Sequence, residues 1–165
     1  MSVSGAVPLI HFCIARLVLA APATLSIWAE DAGQVESGLQ ILDVLQAEWG
    51  PDGPLTSLAQ LPLGTSAEVS WDTALLLAIT EPPGLELELG AHRVTRTGAV
   101  ELPSVEIRQA LLTELLVQEL RDAGCPVATV VVGTARASTG SVGSAGAAGL
   151  PGRAGGPEVA GGPLA

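Results

Sequence analysis

Glycine falls at every third position from Gly140 to Gly155: Gly140, Gly143, Gly146, Gly149, Gly152 and Gly155. The register lapses at Glu158 and resumes at Gly161, and Pro151, Pro157 and Pro163 all take the third slot of their triplets. A stretch this rich in glycine and alanine has too few large side chains to build a core. The chain is thereby divided. Residues 1–136 read as a single domain and residues 137–165 as a Gly/Ala/Pro-rich tail.

Over Gly140 to Gly155 the tail resembles collagen-like Gly-X-Y sequence, in which only glycine fits at the crowded axis of a triple helix. Such a tail would oligomerise the chain. However, the triplets beginning at Gly140, Gly143, Gly146 and Gly152 contain no proline. Little polyproline geometry is then pre-set against the entropy of ordering. The tail is accordingly read as disordered.

Hydrophobic residues make up 48% of the chain and mean hydropathy is +0.48, while only 15% of residues are charged. A domain with so few charges is short of polar cover, which predicts a protein partner or self-association. The net charge is −10, from 17 acids and 7 arginines. That balance is wrong for nucleic acid, whose phosphates supply most of the affinity, and for an anionic membrane surface. The sequence contains no lysine and no asparagine. The first absence excludes Schiff-base nucleophiles and P-loops, and the second N-glycosylation and Cys-His-Asn sites.

The segment Ala6–Ala29 is apolar, but His11, Arg16 and two prolines interrupt it. A membrane-spanning helix is therefore not expected. Leu17–Ala23 ends in an Ala-Pro-Ala site of the signal-peptide kind, yet the region before it is itself apolar and has no basic residue until Arg16. The expected location is the cytoplasm or an assembled particle, with secretion as the alternative. Leu9, Cys13, Leu17 and Ala20 instead predict one face of a buried first helix, with Pro8 near its start and Pro22 after its end.

Further along, Thr24–Ala29 reads as a short strand. Val35, Leu39, Leu42, Leu45 and Trp49 recur at helical spacing and predict a helix over Gln34–Glu48, stopped by Gly50-Pro51. Glu68–Thr80, nearly continuous and apolar from Ala74 to Ile79, reads as a buried strand. Leu85–Leu89 alternates strictly, and a turn at Gly90-Ala91 sets Glu88 opposite Arg93 and Leu87 opposite Val94. A third strand is expected at Ala99–Leu102. Ser104 caps a helix from Val105 to Ala123 whose leucine doublets give it a wide apolar face, and Gly124 ends it. Val127–Val132 is a buried strand. The order predicts an α+β fold, a small mixed or antiparallel sheet with two to three helices packed on it.

No residues are assigned to catalysis, cofactor binding or metal binding. His11 lies in an apolar run and His92 at a hairpin tip. Cys13 and Cys125 belong to no CxxC pair, and no Cys/His cluster has metal spacing. Trp49, Trp71 and Trp28 are candidate interface anchors, because tryptophan concentrates at binding hot spots. The functional expectation is a non-enzymatic assembly or interaction subunit of a larger complex or particle. The alternatives are a secreted protein with a collagen-like oligomerising tail and a small cysteine-dependent enzyme using Cys125.

Overall fold

The structure, a computed structural model, describes residues 7–139. The Gly-X-Y register and its collagen-like reading therefore lie outside the described residues. The first described elements form a β-hairpin, β1 (Ile10–Val18) and β2 (Ala21–Ala29), where a helix is expected. The reason for the error is arithmetical. Leu9, Cys13 and Leu17 are four apart, and four is both a helical step and twice the strand period. The residues between them decide the matter, since Phe12, Ile14 and Val18 face inward while His11, Cys13, Ala15 and Leu17 face outward. Arg16 shares the inward parity, lies at the edge and meets Asp43 at 2.7 Å.

The hairpin turns through Leu19 and Ala20, both at positive φ (49° and 66°), without a glycine. Such turns match strand twist, but each L-residue there costs about 1 kcal/mol. Two glutamines hold the strained peptide. The Leu19 N–H donates to Gln46 Oε1 and Gln109 Nε2 donates to the Leu19 carbonyl, each at 3.2 Å.

Asp31 caps α1 (Ala32–Trp49) by accepting from the Gln34 N–H. The expected stripe is buried at Val35, Leu42, Leu45 and Trp49. After a single turn, α2 (Pro54–Ser57), comes the short strand β3 (Ser66–Glu68). Trp71–Thr80 is then a helix, α3, where a strand is expected. Its apolar run is too short to show a period, and the decisive signal is the cap: Ser70 accepts from the Thr73 N–H, with Asp72 in the first turn.

Strands β4 (Leu85–Glu88) and β5 (Arg93–Arg96) pair with Leu87 against Val94 and Glu88 against Arg93, as expected. The connection differs from the expected two-residue turn. It is a 3-10 turn, Leu89–Ala91, closed by His92 at φ 49°. Ala99–Leu102 forms no strand and is tied instead through Thr97 N–H to the Gly84 carbonyl and Glu101 N–H to the Pro83 carbonyl.

Ser104 caps α4 (Val105–Asp122), which buries Leu111, Leu112, Leu116, Val117 and Leu120. Strand β6 (Val127–Val132) follows as expected, and β7 (Ala135–Ser138) returns beside it. Ala137 is buried and the Thr139 N–H reaches the Ala128 carbonyl, so the packed structure runs a little past residue 136.

The fold is α+β with two antiparallel sheets, ordered β1-β2-β6-β7 and β3-β5-β4. Helices α1 and α4 pack together over the inward face of the four-stranded sheet, where Leu25, Ile27, Ala128 and Val130 lie fully buried. No helix among the described residues is long and apolar enough to cross a membrane.

Candidate functional site

A hydrogen-bonded polar cluster lies where the end of α1, the start of α3 and the tip of the β4–β5 hairpin converge. It is built from the α3 cap outward. Ser70 Oγ donates to Glu48 Oε1 at 2.6 Å, and Thr73 Oγ1 donates to the same oxygen at 3.0 Å. Trp49 Nε1 donates to Thr73 Oγ1 at 3.0 Å, so a chain of hydrogen bonds leads from the core indole to a half-buried carboxylate. Arg108 of α4 closes the far side, donating to the Trp49 carbonyl and to the Pro103 carbonyl, both at 3.0 Å.

Asp72 stands beside this network. Burial raises its proton affinity above that of an ordinary aspartate, and the negative charges of Glu48 and then Glu119 raise it further. The protonated form is the one the fold favours, so the stabilisation is complete below the unfolded value of 3.8 and is lost as pH rises through the folded value. Carboxyl NMR titration should therefore place the Asp72 midpoint above 3.8, and Glu48→Gln should lower it without returning it fully, because burial remains. An unmoved midpoint in Glu48→Gln would show that the two carboxyl groups do not sense each other.

Next to Asp72 in the sequence, Trp71 forms an aromatic pair with His92. Trp71 is 55% exposed, and its ring meets His92 with centroids 5.5 Å apart at a tilt of 48°. The Val69 N–H donates to the His92 carbonyl at 2.8 Å, which fixes the hairpin tip against the start of α3. Arg93, the residue after His92, pairs with Glu88 at 3.2 Å on the surface. The start of α3 and the hairpin tip therefore bring together an exposed aromatic surface, a carboxyl group of raised proton affinity and the ion-paired Arg93, with Arg108 tied to backbone carbonyls on the far side.

The three tryptophans separate sharply. Trp49, expected as an interface anchor, is fully buried at the end of α1 and is a core residue. Its position on the same helical stripe as Leu42 and Leu45 explains this. Trp71 and Trp28 are exposed, and Trp28 stacks on His11 with centroids 4.5 Å apart. Cys125 is buried, and burial and then Asp31 push its thiol up, the opposite of an activated nucleophile. Among the described residues, no group of three or more His, Cys, Asp or Glu is placed to hold a metal ion. Glu48, Ser70, Asp72 and Thr73 were not singled out from the sequence, although Ser70 followed by Asp72 is a readable helix-start signal.

This arrangement of strands and helices has solved counterparts. The fold is similar to that of flavinyl transferases. The apo flavinyl transferase ApbE of Pseudomonas stutzeri superposes with a TM-score of 0.54 at 13% identity, over 75% of this chain and 54% of that one. The ApbE protein of Thermotoga maritima does so with 0.56 at 10% identity, over 74% and 57%. The chain thus spans a little more than half the length of these two structures. No protein-family model and no curated protein sequence matches it. The expectation of a non-enzymatic assembly or structural subunit is corrected by this likeness, because the fold is one that enzymes carry. A sequence without a recognisable catalytic motif can still carry an enzyme's fold.

Proposed function

We propose that the chain is a flavin-binding domain of the flavinyl-transferase type, acting on a flavin nucleotide. The observation that carries this reading is the fold likeness across three quarters of the chain to a flavinyl transferase. The aromatic pair is the element that fits a flavin. A flat, polarisable isoalloxazine ring stacks on an exposed indole, and Trp71 offers that surface with His92 alongside. The phosphate end of the nucleotide fits less well. Arg93, next to His92 in the sequence, has the right sign but is paired with Glu88, the chain has no lysine, and its net charge is −10. Binding is therefore carried by the ring more than by the phosphates.

In this reading Trp71 and His92 orient the ring, and Arg93 faces the phosphate. Asp72, whose carboxyl group holds its proton more tightly than usual, exchanges a proton with the acceptor. The acceptor oxygen would bond to the flavin-side phosphorus of a flavin dinucleotide, the phosphoanhydride bond would break, and the nucleoside monophosphate would leave. The two free thiols, Cys13 and Cys125, support a cytoplasmic setting.

The test is a titration of riboflavin, FMN and FAD against the protein, followed by flavin fluorescence. All three should be quenched with similar affinity, since the ring dominates. Trp71→Ala should weaken binding about tenfold, the worth of one aromatic stacking contact. Because Trp71 is mostly exposed, its removal should leave the unfolding midpoint nearly unchanged. An absence of quenching, or an unaltered affinity in Trp71→Ala, would remove the reading.

A further inference from the structure

The four-stranded sheet has a second face that α1 and α4 do not cover. Its strand register assigns that face unambiguously. Leu17 pairs with Pro22, Ala15 with Thr24, Cys13 with Ser26 and His11 with Trp28. Thr24 continues to Val131, Ser26 to Thr129 and Trp28 to Val127, and Val131 and Thr129 continue to Arg136 and Ser138. These outward positions include not one of the chain's 17 acids, and Arg136 is their single formal charge. On a chain of net charge −10 such a face is a marked departure from the rest of the surface.

Large side chains stand at its two ends, with small ones between them. Leu17 is 71% exposed at one end, and Trp28 and Val127 are about 40% exposed at the other. The middle holds Ala15, Thr24, Ser26 and Thr129, which leave the sheet low enough for close approach.

We infer that this open face is the contact between two copies of the chain, packed sheet against sheet. Two arguments select a second copy as the occupant. The first is charge. Two molecules carrying −10 each repel wherever carboxylates meet, and here none do. The one arginine also finds room. If the two-fold axis runs along the strands, β1 of one copy lies over β7 of the other. The two Arg136 side chains then sit at opposite edges, about three strand spacings or ~14 Å apart, beyond the Debye length at physiological salt. Each would lie over the small residues Ala15 and Cys13 of the second copy.

The second argument is area. Strands of 9, 9, 6 and 4 residues at the usual rise and spacing give a footprint of roughly 450 Å² per copy. With β1 over β7 and β2 over β6 about 20 of these residues overlap in each copy, so the two faces together bury roughly 700 Å² with side-chain relief, the size of a weak contact that exchanges reversibly. Trp28, already oriented by its stack on His11, supplies the anchor that such interfaces use.

The experiment is sedimentation equilibrium on the full chain across a range of concentrations, for the native sequence, Thr24→Glu and Val44→Glu. The native chain should be a dimer in reversible exchange. Thr24→Glu sets two carboxylates together at the centre of the face and should raise the dissociation constant by about 100-fold or more, because like charges in a contact cost several kcal/mol. Val44→Glu, at an exposed position of α1, should leave the dimer intact. Thermal unfolding of the two variants checks that each is folded. A native chain that stays monomeric at high concentration overturns the inference. So does an oligomer that survives Thr24→Glu, which would place the contact elsewhere, in the Gly-rich tail for instance.

Discussion

Trp49→Ala should destabilise the fold by about 3–5 kcal/mol, which is a large share of the 5–15 kcal/mol that holds a domain of this size together. The loss has two parts. The indole is fully buried at the end of α1, so truncation leaves a cavity that the surrounding helices can close only in part. Its Nε1 also donates to Thr73, whose hydroxyl in turn serves Glu48. Trp49→Phe separates these parts. It retains most of the volume and removes the donor with part of the ring, and should cost about 1–2 kcal/mol. Urea unfolding of both variants, beside Trp71→Ala, reads the difference. The same residue type at an exposed position should be nearly neutral, and equal losses at Trp49 and Trp71 would contradict the burial described above.

That contrast also shows what a sequence carries and what it withholds. The stripe Val35, Leu42, Leu45, Trp49 identifies α1 because five helical turns give its period room to show. The Leu85–Arg96 ladder is equally plain, because strict alternation leaves only one register that keeps Leu87 and Val94 on the same side. Where the sequence misled, the segments were short or their spacing was shared between two periods. Leu9, Cys13 and Leu17 satisfy a strand as well as a helix. Ala74 to Ile79 is too uniformly apolar to have any period, and only the Ser70 cap distinguishes it.

The candidate site was harder still. Its members come from α1, α3 and the hairpin tip, and nothing in the order of residues brings Glu48 to Ser70, or Trp71 to His92. Those contacts depend on how α3 packs, and an expected strand at that place hides them. Function was misjudged for a related reason. Composition says that the surface is apolar and acidic, but a fold likeness to flavinyl transferases at 10–13% identity exists in the backbone and not in any motif.

The smaller sheet can be tested at one atom. Gly84→Ala should cost about 2–5 kcal/mol, and the reason is geometric on two counts. Gly84 has φ +84°, a conformation that L-residues adopt only with strain. An added Cβ would also lie 2.1 Å from the Ala99 carbonyl oxygen, which is backbone and cannot rotate away. The clash falls on the contact that replaces the expected third strand, since the Gly84 carbonyl accepts from the Thr97 N–H at 2.8 Å. Relieving it requires the segment after β5 to move off β4. Gly64 provides the control. It has nearly the same φ, +81°, but nothing within 4 Å of an added Cβ. Gly64→Ala should therefore show the conformational cost alone, about 1 kcal/mol. The excess of Gly84→Ala over Gly64→Ala in urea unfolding measures the close approach of the two backbone segments. If the two substitutions cost the same, the 97–101 segment is not held against Gly84 in solution, and the β3-β5-β4 sheet that supports His92 and Trp71 is looser than its geometry implies.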